Sequence, residues 1–289
     1  MQPQILPQAR DRIFKQVDVF TATPYRGNAL AVVLDGRGLA DEQMQRFARW
    51  TNLSETTFLL PPRTGQADYR VRIFTPGGEL PFAGHPTLGS AHSWLEAGGV
   101  PHSSEFIVQE CDVGLVRLRR DGTRLAFAAP SLQRSDPGPE TVAQVVAALG
   151  LQARQVVAAQ SLDNGPVWLG LLLDSPATVL GLTPDHRELE RLGHKVGVAA
   201  LYPGPGAGPQ LEVRAFAAPI GVAEDPVTGS LNASLAQWLI EERRLPACYL
   251  AAQGACLDRA GRIHIDRDER GQVWVGGDSV TCISGTVTL

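Results

Sequence analysis

Two stretches of this chain are built alike, and their likeness limits the folds open to it. Residues 72–91 read RIFTPGGELPFAGHPTLGSA and residues 214–233 read RAFAAPIGVAEDPVTGSLNA. Each begins as a strand-like alternation, breaks at a turn, and ends in a small-residue loop that opens a helical run. The first loop is Ala83-Gly84-His85-Pro86-Thr87; the second is Glu224-Asp225-Pro226-Val227-Thr228-Gly229-Ser230. A helix that starts in such a loop points unpaired backbone N–H groups at whatever lies before it. Two such ends facing one another predict a small anion held in a cleft between two similar domains.

The surrounding elements repeat in the same order. Gln16-Val17 returns as Gln155-Val156 and Leu34-Asp35 as Leu173-Asp174, 139 positions on; Arg72, Phe74 and Ala91 return as Arg214, Phe216 and Ala233, 142 positions on. In the first half, strands are expected at residues 13–21, 29–34, 56–60, 69–75, 105–109, 114–119 and 124–128. Helices are expected at 41–50, with Met44, Phe47 and Ala48 on one face, and at 87–96, with Leu88, Ala91 and Leu95 inward. Residues 131–139 (SLQRSDPGP) read as a linker. In the second half, strands are expected at 156–160, 167–173, 211–217, 262–265, 272–275 and 284–289. Its helices are expected at 140–149, 184–192 (started by Thr183) and 230–239, the last burying Leu231, Leu235 and Trp238. The pattern predicts an α+β fold of two domains, 1–130 and 131–289, each with a helix packed against a curved sheet. The terminal strand 280–289 is placed to return to the first domain.

A chain of 289 residues with 44% hydrophobic and 19% charged residues has the makings of a soluble globular protein with a sizeable core. A net charge of −4 gives no case for nucleic acid or an anionic membrane as partner. Residues 1–10 lack the apolar core of a signal peptide, and residues 1–12 read as polar and poorly ordered. The most apolar run, 167–173, is far too short to span a bilayer. Cys111, Cys248, Cys256 and Cys282 show no metal or paired spacing and read as free, reduced, core-packed thiols, which points to the cytoplasm. Nucleotide-binding glycine motifs, HExxH and GxSxG are all missing, and GPGAG at 204–208 reads as a loop. A reaction without metal or cofactor is therefore expected if the chain is an enzyme.

Three positions offer chemistry. Glu55 stands where an apolar strand begins; desolvation there would raise its pKa into the range useful to a general acid/base. The bland alternative is a surface or capping carboxylate. His85, before the first helix, would donate to a bound group or shuttle protons, or else be satisfied by backbone. In the second loop the N–H groups of Gly229 and Ser230 would bind a carboxylate and Asp225 would orient an amine or hydroxyl. The alternative there is an ordinary turn with Asp225 and Thr228 chosen for capping.

Four blocks, VDVFTATPYRGNALAVV, LSETTFLL, RIFTPGGELPFAGHPTLGSAH and EDPVTGSLNASLAQWL, resemble in order and spacing the signature blocks of the phenazine-biosynthesis PhzF-like family. The resemblance covers essentially the whole chain. It implies the diaminopimelate epimerase-like fold: two similar domains in a pseudo-twofold arrangement, each a curved, mostly antiparallel sheet or barrel around a central helix. It implies a cofactor-independent, homodimeric isomerase that moves a proton on a small carboxylate. Glu55 matches the glutamate that, in the phenazine enzyme, shifts a proton on a dihydro-hydroxyanthranilate ring. His85 and Asp225 match the other catalytic positions. Asn28, Ser54, Gly84, Thr228, Gly229 and Ser230 fall at substrate-binding positions. Related racemases carry a cysteine in each loop; Ala83 and Asp225 stand in those places here, which argues against two-thiol chemistry. The first block departs from the family's GNP at Gly27-Asn28-Ala29, and Asn232 stands near a position often held by histidine, so the ring substrate does not follow from the match. An amino-acid epimerase using Glu55 and Asp225 as bases, and a binding protein of the same fold without turnover, are the competing expectations.

Overall fold

The first apolar alternation forms β1 (Asp11–Val19), and a Pro/Gly turn folds the chain back as antiparallel β2 (Asn28–Val33). Helix α1 (Asp41–Thr51) buries Met44, Phe47 and Ala48 and crosses over to β3 (Glu55–Leu60), which lies parallel to β2. β4 (Tyr69–Phe74) runs antiparallel to β3, followed by the short β5 (Glu79–Leu80). Then α2 (Gly84–Glu96) carries the chain to β6 (Phe106–Cys111), parallel to β4, and the meander β7 (Gly114–Asp121), β8 (Arg124–Ala128) follows. This computed structural model describes residues 9–204, 206 and 208–289.

After β9 (Gln133–Ser135) the same path is traced again. Helix α3 (Pro139–Ala148) leads to the antiparallel pair β10 (Val156–Asp163) and β11 (Val167–Leu173). Helices α4 (Pro176–Gly181) and α5 (His186–Leu192) cross to β12 (Val196–Leu201), parallel to β11. β13 (Leu211–Ala217) and β14 (Val222–Asp225) follow, and α6 (Gly229–Glu241) delivers β15 (Cys248–Gln253) parallel to β13. β16 (Gly261–Arg267), β17 (Val273–Gly277) and β18 (Ser279–Thr288) end the chain. The doubled α+β topology is the one the repeat predicts. β8 pairs with β17 and β1 with β18, so the strands of both halves join one 18-stranded mixed sheet. No helix among the described residues is long and apolar enough to cross a membrane.

Several local expectations need correction. Asp11 and Arg12 already belong to β1, whereas residues 1–8, part of the stretch read as poorly ordered, and Pro205 and Ala207 of the GPGAG loop lie outside the described residues. The 131–139 linker contains β9, which pairs with β10. α5 is capped by Asp185 rather than Thr183: its Oδ1 accepts from the amides of Arg187 and Glu188 at 3.1 and 3.0 Å. α2 starts at Gly84, three residues early, because proline is tolerated in a first helical turn that needs no N–H from it. β12 went unpredicted; its run Val196–Ala200 is buried throughout, so it shows no alternation to read. Of the cysteines only Cys111 is buried, whereas Cys248 and Cys256 are exposed; all four are free.

The two central helices are sunk into the sheet rather than laid on it. Leu88 and Ala91 of α2 and Leu231, Leu235 and Trp238 of α6 are fully buried. Their N-termini meet head to head. A Cβ on Gly229 would lie 3.0 Å from Gly84 Cα and 3.3 Å from His85 N; one on Gly84 would lie 3.0 Å from Gly229 Cα and 2.8 Å from Phe127 Cζ. Only glycine at both places lets the backbones come this close.

The repeat also places an arginine–glutamate pair in each half. Arg214 Nε and Nη2 donate to Glu224 at 2.9 and 2.8 Å, while Nη1 donates to the carbonyls of Val179 and Leu182. Arg72 Nε and Nη2 donate to Glu79 at 2.7 and 2.6 Å, and Nη1 donates to Asp41. The side chains of Arg214 and Glu224 are 6% and 7% exposed, those of Arg72 and Glu79 18% and 28%. Removing one partner of a buried pair strands the other charge, so Glu224→Gln should cost about 3–5 kcal/mol in chemical denaturation. Glu79→Gln should cost less than about 1 kcal/mol, since water and Asp41 still serve Arg72; equal losses would contradict this. Gly229→Ala should destabilise by about 1–3 kcal/mol through overpacking, despite alanine's better helix propensity. A raised melting temperature for that variant would show that the helix ends have room to part.

Candidate active site

β3 begins at Glu55 because α1 ends at Thr51, with Asn52 as its left-handed cap, and the chain turns straight into the parallel pairing with Leu30. That register brings the Glu55 side chain, 15% exposed, to the meeting point of α2 and α6. Its Oε2 lies 3.3 Å from Nε2 of His85, in the first turn of α2, and neither atom makes a hydrogen bond with the described residues. Asn28, 1% exposed at the start of β2, sets its Nδ2 3.4 Å from His85 Nδ1 and donates to Asp225 Oδ1 at 3.0 Å and to the Val227 carbonyl at 2.9 Å. One amide therefore holds residues from both halves.

Asp225 ends β14 and does not cap α6. Its Oδ2 accepts from Thr228 Oγ1 at 2.6 Å, and neither Thr228 nor Ala83, the residues before the two central helices, makes a side-chain cap. The first-turn amides of α2 and α6 thus keep the unpaired, positively polarised character of helix N-termini, pooled where Gly84 meets Gly229. Ser230 Oγ accepts from the Trp168 indole N–H at 3.2 Å, and its carbonyl accepts from Asn164 Nδ2 at 3.0 Å. Of the positions expected in the site, Glu55, His85, Asp225, Asn28, Gly84, Thr228, Gly229 and Ser230 come together. Ser54 adjoins Glu55, half-buried, and its side chain has no hydrogen bond among the described residues.

The electrostatics separate the titratable groups. Burial, and then the nearby charge of Asp225, push the Glu55 carboxyl up to about 8. Burial also lifts Asp225, to about 6, but the hydrogen bonds from Thr228 and Asn28 hold it lower than Glu55. Burial depresses His85 to about 3, against a backbone hydrogen bond with Ala29. The imidazole is thus held uncharged near neutral pH, and of the two carboxyls Glu55 holds its proton more strongly than Asp225. Both Asp225 oxygens are engaged, whereas Glu55 Oε2 has no hydrogen bond among the described residues.

The sequence reading missed the residue that braces the second loop. Gln253, 1% exposed at the end of β15, accepts from the Thr228 N–H at 3.0 Å and from Asn232 Nδ2 at 2.9 Å, and donates to the Asp225 carbonyl and Thr228 Oγ1. Nothing local marks it, because it reaches the loop only through the parallel pairing of β13 and β15. Asn164 and Trp168 were missed too, because nothing in the sequence around them signals the helix they touch. Asn232, the departure from the family pattern, ties that loop by donating to the Thr228 carbonyl at 2.9 Å.

The chain matches the model of the family described as "Phenazine biosynthesis-like protein" over residues 17–285. It is 36% identical over 289 residues to antisense-enhancing sequence 1 of Schizosaccharomyces pombe, covering 94% of this chain and 97% of that protein. It is 35% identical over 285 residues to the trans-2,3-dihydro-3-hydroxyanthranilate isomerase of Pseudomonas aeruginosa, covering 94% and 98%. In fold it is similar to the crystal structure of the Bacillus anthracis phenazine biosynthesis protein of the PhzF family, with a TM-score of 0.83 at 21% identity, covering 97% of this chain and 100% of that one. By likeness along its whole length, this chain belongs to the phenazine biosynthesis-like, or PhzF, family.

Proposed function

We propose that this chain is an isomerase that moves a proton between two positions of a small carboxylate substrate, with Glu55 as the general acid/base and no metal or organic cofactor. The observation that carries this reading is the asymmetry of the two buried carboxyls: Asp225 is held at both oxygens, while Glu55 Oε2 faces His85 with no hydrogen bond to the described residues. The substrate carboxylate would sit before the paired helix ends, at the amides of Gly229 and Ser230. In its ionised form, the minor one near neutral pH, Glu55 takes a proton from one carbon, becomes a carboxylic acid, and gives the proton to another carbon, so the substrate's composition is unchanged. Negative charge that develops on the substrate in between is stabilised by the same helix ends. Neutral His85 contributes a polar contact to Glu55 rather than a cation. A relative 35% identical bears the name of a dihydro-hydroxyanthranilate isomerase, an activity of this class.

The second reading, an epimerase with two bases, is favoured by the electrostatic coupling of Glu55 to Asp225. The two hydrogen bonds that engage Asp225 weigh against it. With trans-2,3-dihydro-3-hydroxyanthranilate as probe in D2O, Glu55→Gln should lower deuterium incorporation by about a hundredfold or more while binding persists by calorimetry. Undiminished incorporation in that variant would remove Glu55 from its role; exchange at one carbon, lost equally in Asp225→Asn, would favour the epimerase.

The raised carboxyl also has a signature in stability. Because folded Glu55 keeps its proton up to about 8 while the unfolded chain loses it near the ordinary glutamate value, stability should fall as pH rises across that interval. Glu55→Gln lacks this slope, so its melting temperature should gain on the parent between about pH 5 and about pH 8. A constant gap over that range would mean that Glu55 ionises normally in the folded protein.

A further inference from the structure

The strand that each central helix delivers carries a buried glutamine: Gln109 in β6, after α2, and Gln253 in β15, after α6. Each donates its amide Nε2 to a threonine hydroxyl near the start of that helix, Gln109 to Thr87 Oγ1 and Gln253 to Thr228 Oγ1, both at 2.9 Å. A hydroxyl has one proton to give. In the first half it goes to the Ala83 carbonyl at 2.9 Å. In the second it goes to Asp225 Oδ2 at 2.6 Å. The same device ends on a backbone carbonyl in one half and on a carboxyl of the cleft in the other.

Main-chain groups fix the direction of the second chain of bonds. Gln253 Oε1 accepts from the Thr228 N–H at 3.0 Å, and Nε2 donates to the Asp225 carbonyl at 3.0 Å. A main-chain N–H only donates and a carbonyl only accepts, so turning the Gln253 amide over would lose both bonds. Asn232 Nδ2, which donates to the Thr228 carbonyl, also donates to Gln253 Oε1 at 2.9 Å. With the amide so set, Thr228 Oγ1 accepts from Gln253 and spends its own proton on Asp225. Asn28 is oriented in the same manner by the Val227 carbonyl and serves Oδ1. Donors aimed at both oxygens favour the carboxylate over the acid. The ionisable groups around Asp225 supply no such help. Glu55 from β3 and Glu224 beside it in β14 are carboxyls, Glu224 being taken up by Arg214, and His85 of α2, across Asn28, is uncharged.

Given the acid/base role proposed for Glu55, we propose that Gln253 is a positioning residue for the proton transfer: by directing the Thr228 hydroxyl onto Asp225 it keeps that carboxyl a hydrogen-bond acceptor at both oxygens, a fixed anion beside Glu55 rather than a second acid/base. Gln253 acts at two removes, through Thr228 and then Asp225, and its effect is on where the proton rests rather than on the shape of the loop alone.

Carbon-13 NMR titration of the full chain labelled at its aspartate carboxyls, with the Asp225 signal assigned by its loss in Asp225→Asn, tests this. Gln253→Met, of similar length and without the amide, should raise the Asp225 midpoint by about one pH unit, the worth of a charge-assisted hydrogen bond. Thr228→Val, which keeps the shape and removes the hydroxyl, should raise it at least as much. The two substitutions together should raise it no further than Thr228→Val alone, because Gln253 works through that hydroxyl. An Asp225 midpoint unmoved in Gln253→Met, even with stability lowered, or shifts that add in the double variant, would overturn the role and reduce Gln253 to a brace. So would an unmoved midpoint in Thr228→Val, whether or not Gln253→Met folds. The titration does not depend on turnover. Absent shifts with deuterium incorporation still lost in Glu55→Gln would remove Gln253's role and leave the Glu55 reading standing; the expected shifts with incorporation undiminished in Glu55→Gln would do the reverse.

Discussion

Everything at the centre of this molecule depends on two helix N-termini coming close enough to touch. Helix ends of like polarity repel weakly, and their unpaired amides want acceptors. Here the surrounding sheet forces them together, and the glycines at 84 and 229 remove the side chains that would keep them apart. The result is a concentrated patch of positive potential with no counter-charge from a capping side chain. The loops that would ordinarily cap these helices have been turned to other work: Thr228 binds Asp225, and Ala83 has nothing to offer.

Around that patch the two halves are alike in topology and unlike in chemistry. The first half contributes a carboxyl with a free oxygen and an uncharged imidazole, the second a carboxylate fixed at both oxygens. The ion pairs of the repeat diverge in the same way. Arg214–Glu224 is enclosed and consumes two backbone carbonyls besides, while Arg72–Glu79 remains within reach of water. The two halves share a frame; burial, differing from one half to the other, sets what each matching position does.

The doubled motif was legible because it is local: a strand, a break, and small residues before a helix. The boundary at Gly84 was misjudged because Gly84-His85-Pro86 reads as part of a small-residue loop, although proline is permitted in a first helical turn. β12 escaped because a strand buried on both faces has no period. The placement of Glu55 next to His85 followed from no spacing, since it depends on a parallel register between β2 and β3. Gln253 lies further from view still: its role exists only once β15 is set beside β13. Residues matched through motif blocks did converge, whereas the residues that brace them, Gln253, Asn164 and Trp168, carry no motif.

The single amide of Asn28 reaches from one half of the molecule to the other. Its bond to Asp225 lowers that group's affinity for a proton, and by reciprocity a proton on Asp225 weakens the bond. Loss of that bond and uptake of a proton by Asp225 are then two sides of one equilibrium. The bond is therefore firmer as the medium becomes more basic across the titration of Asp225, and strongest when that carboxyl is bare.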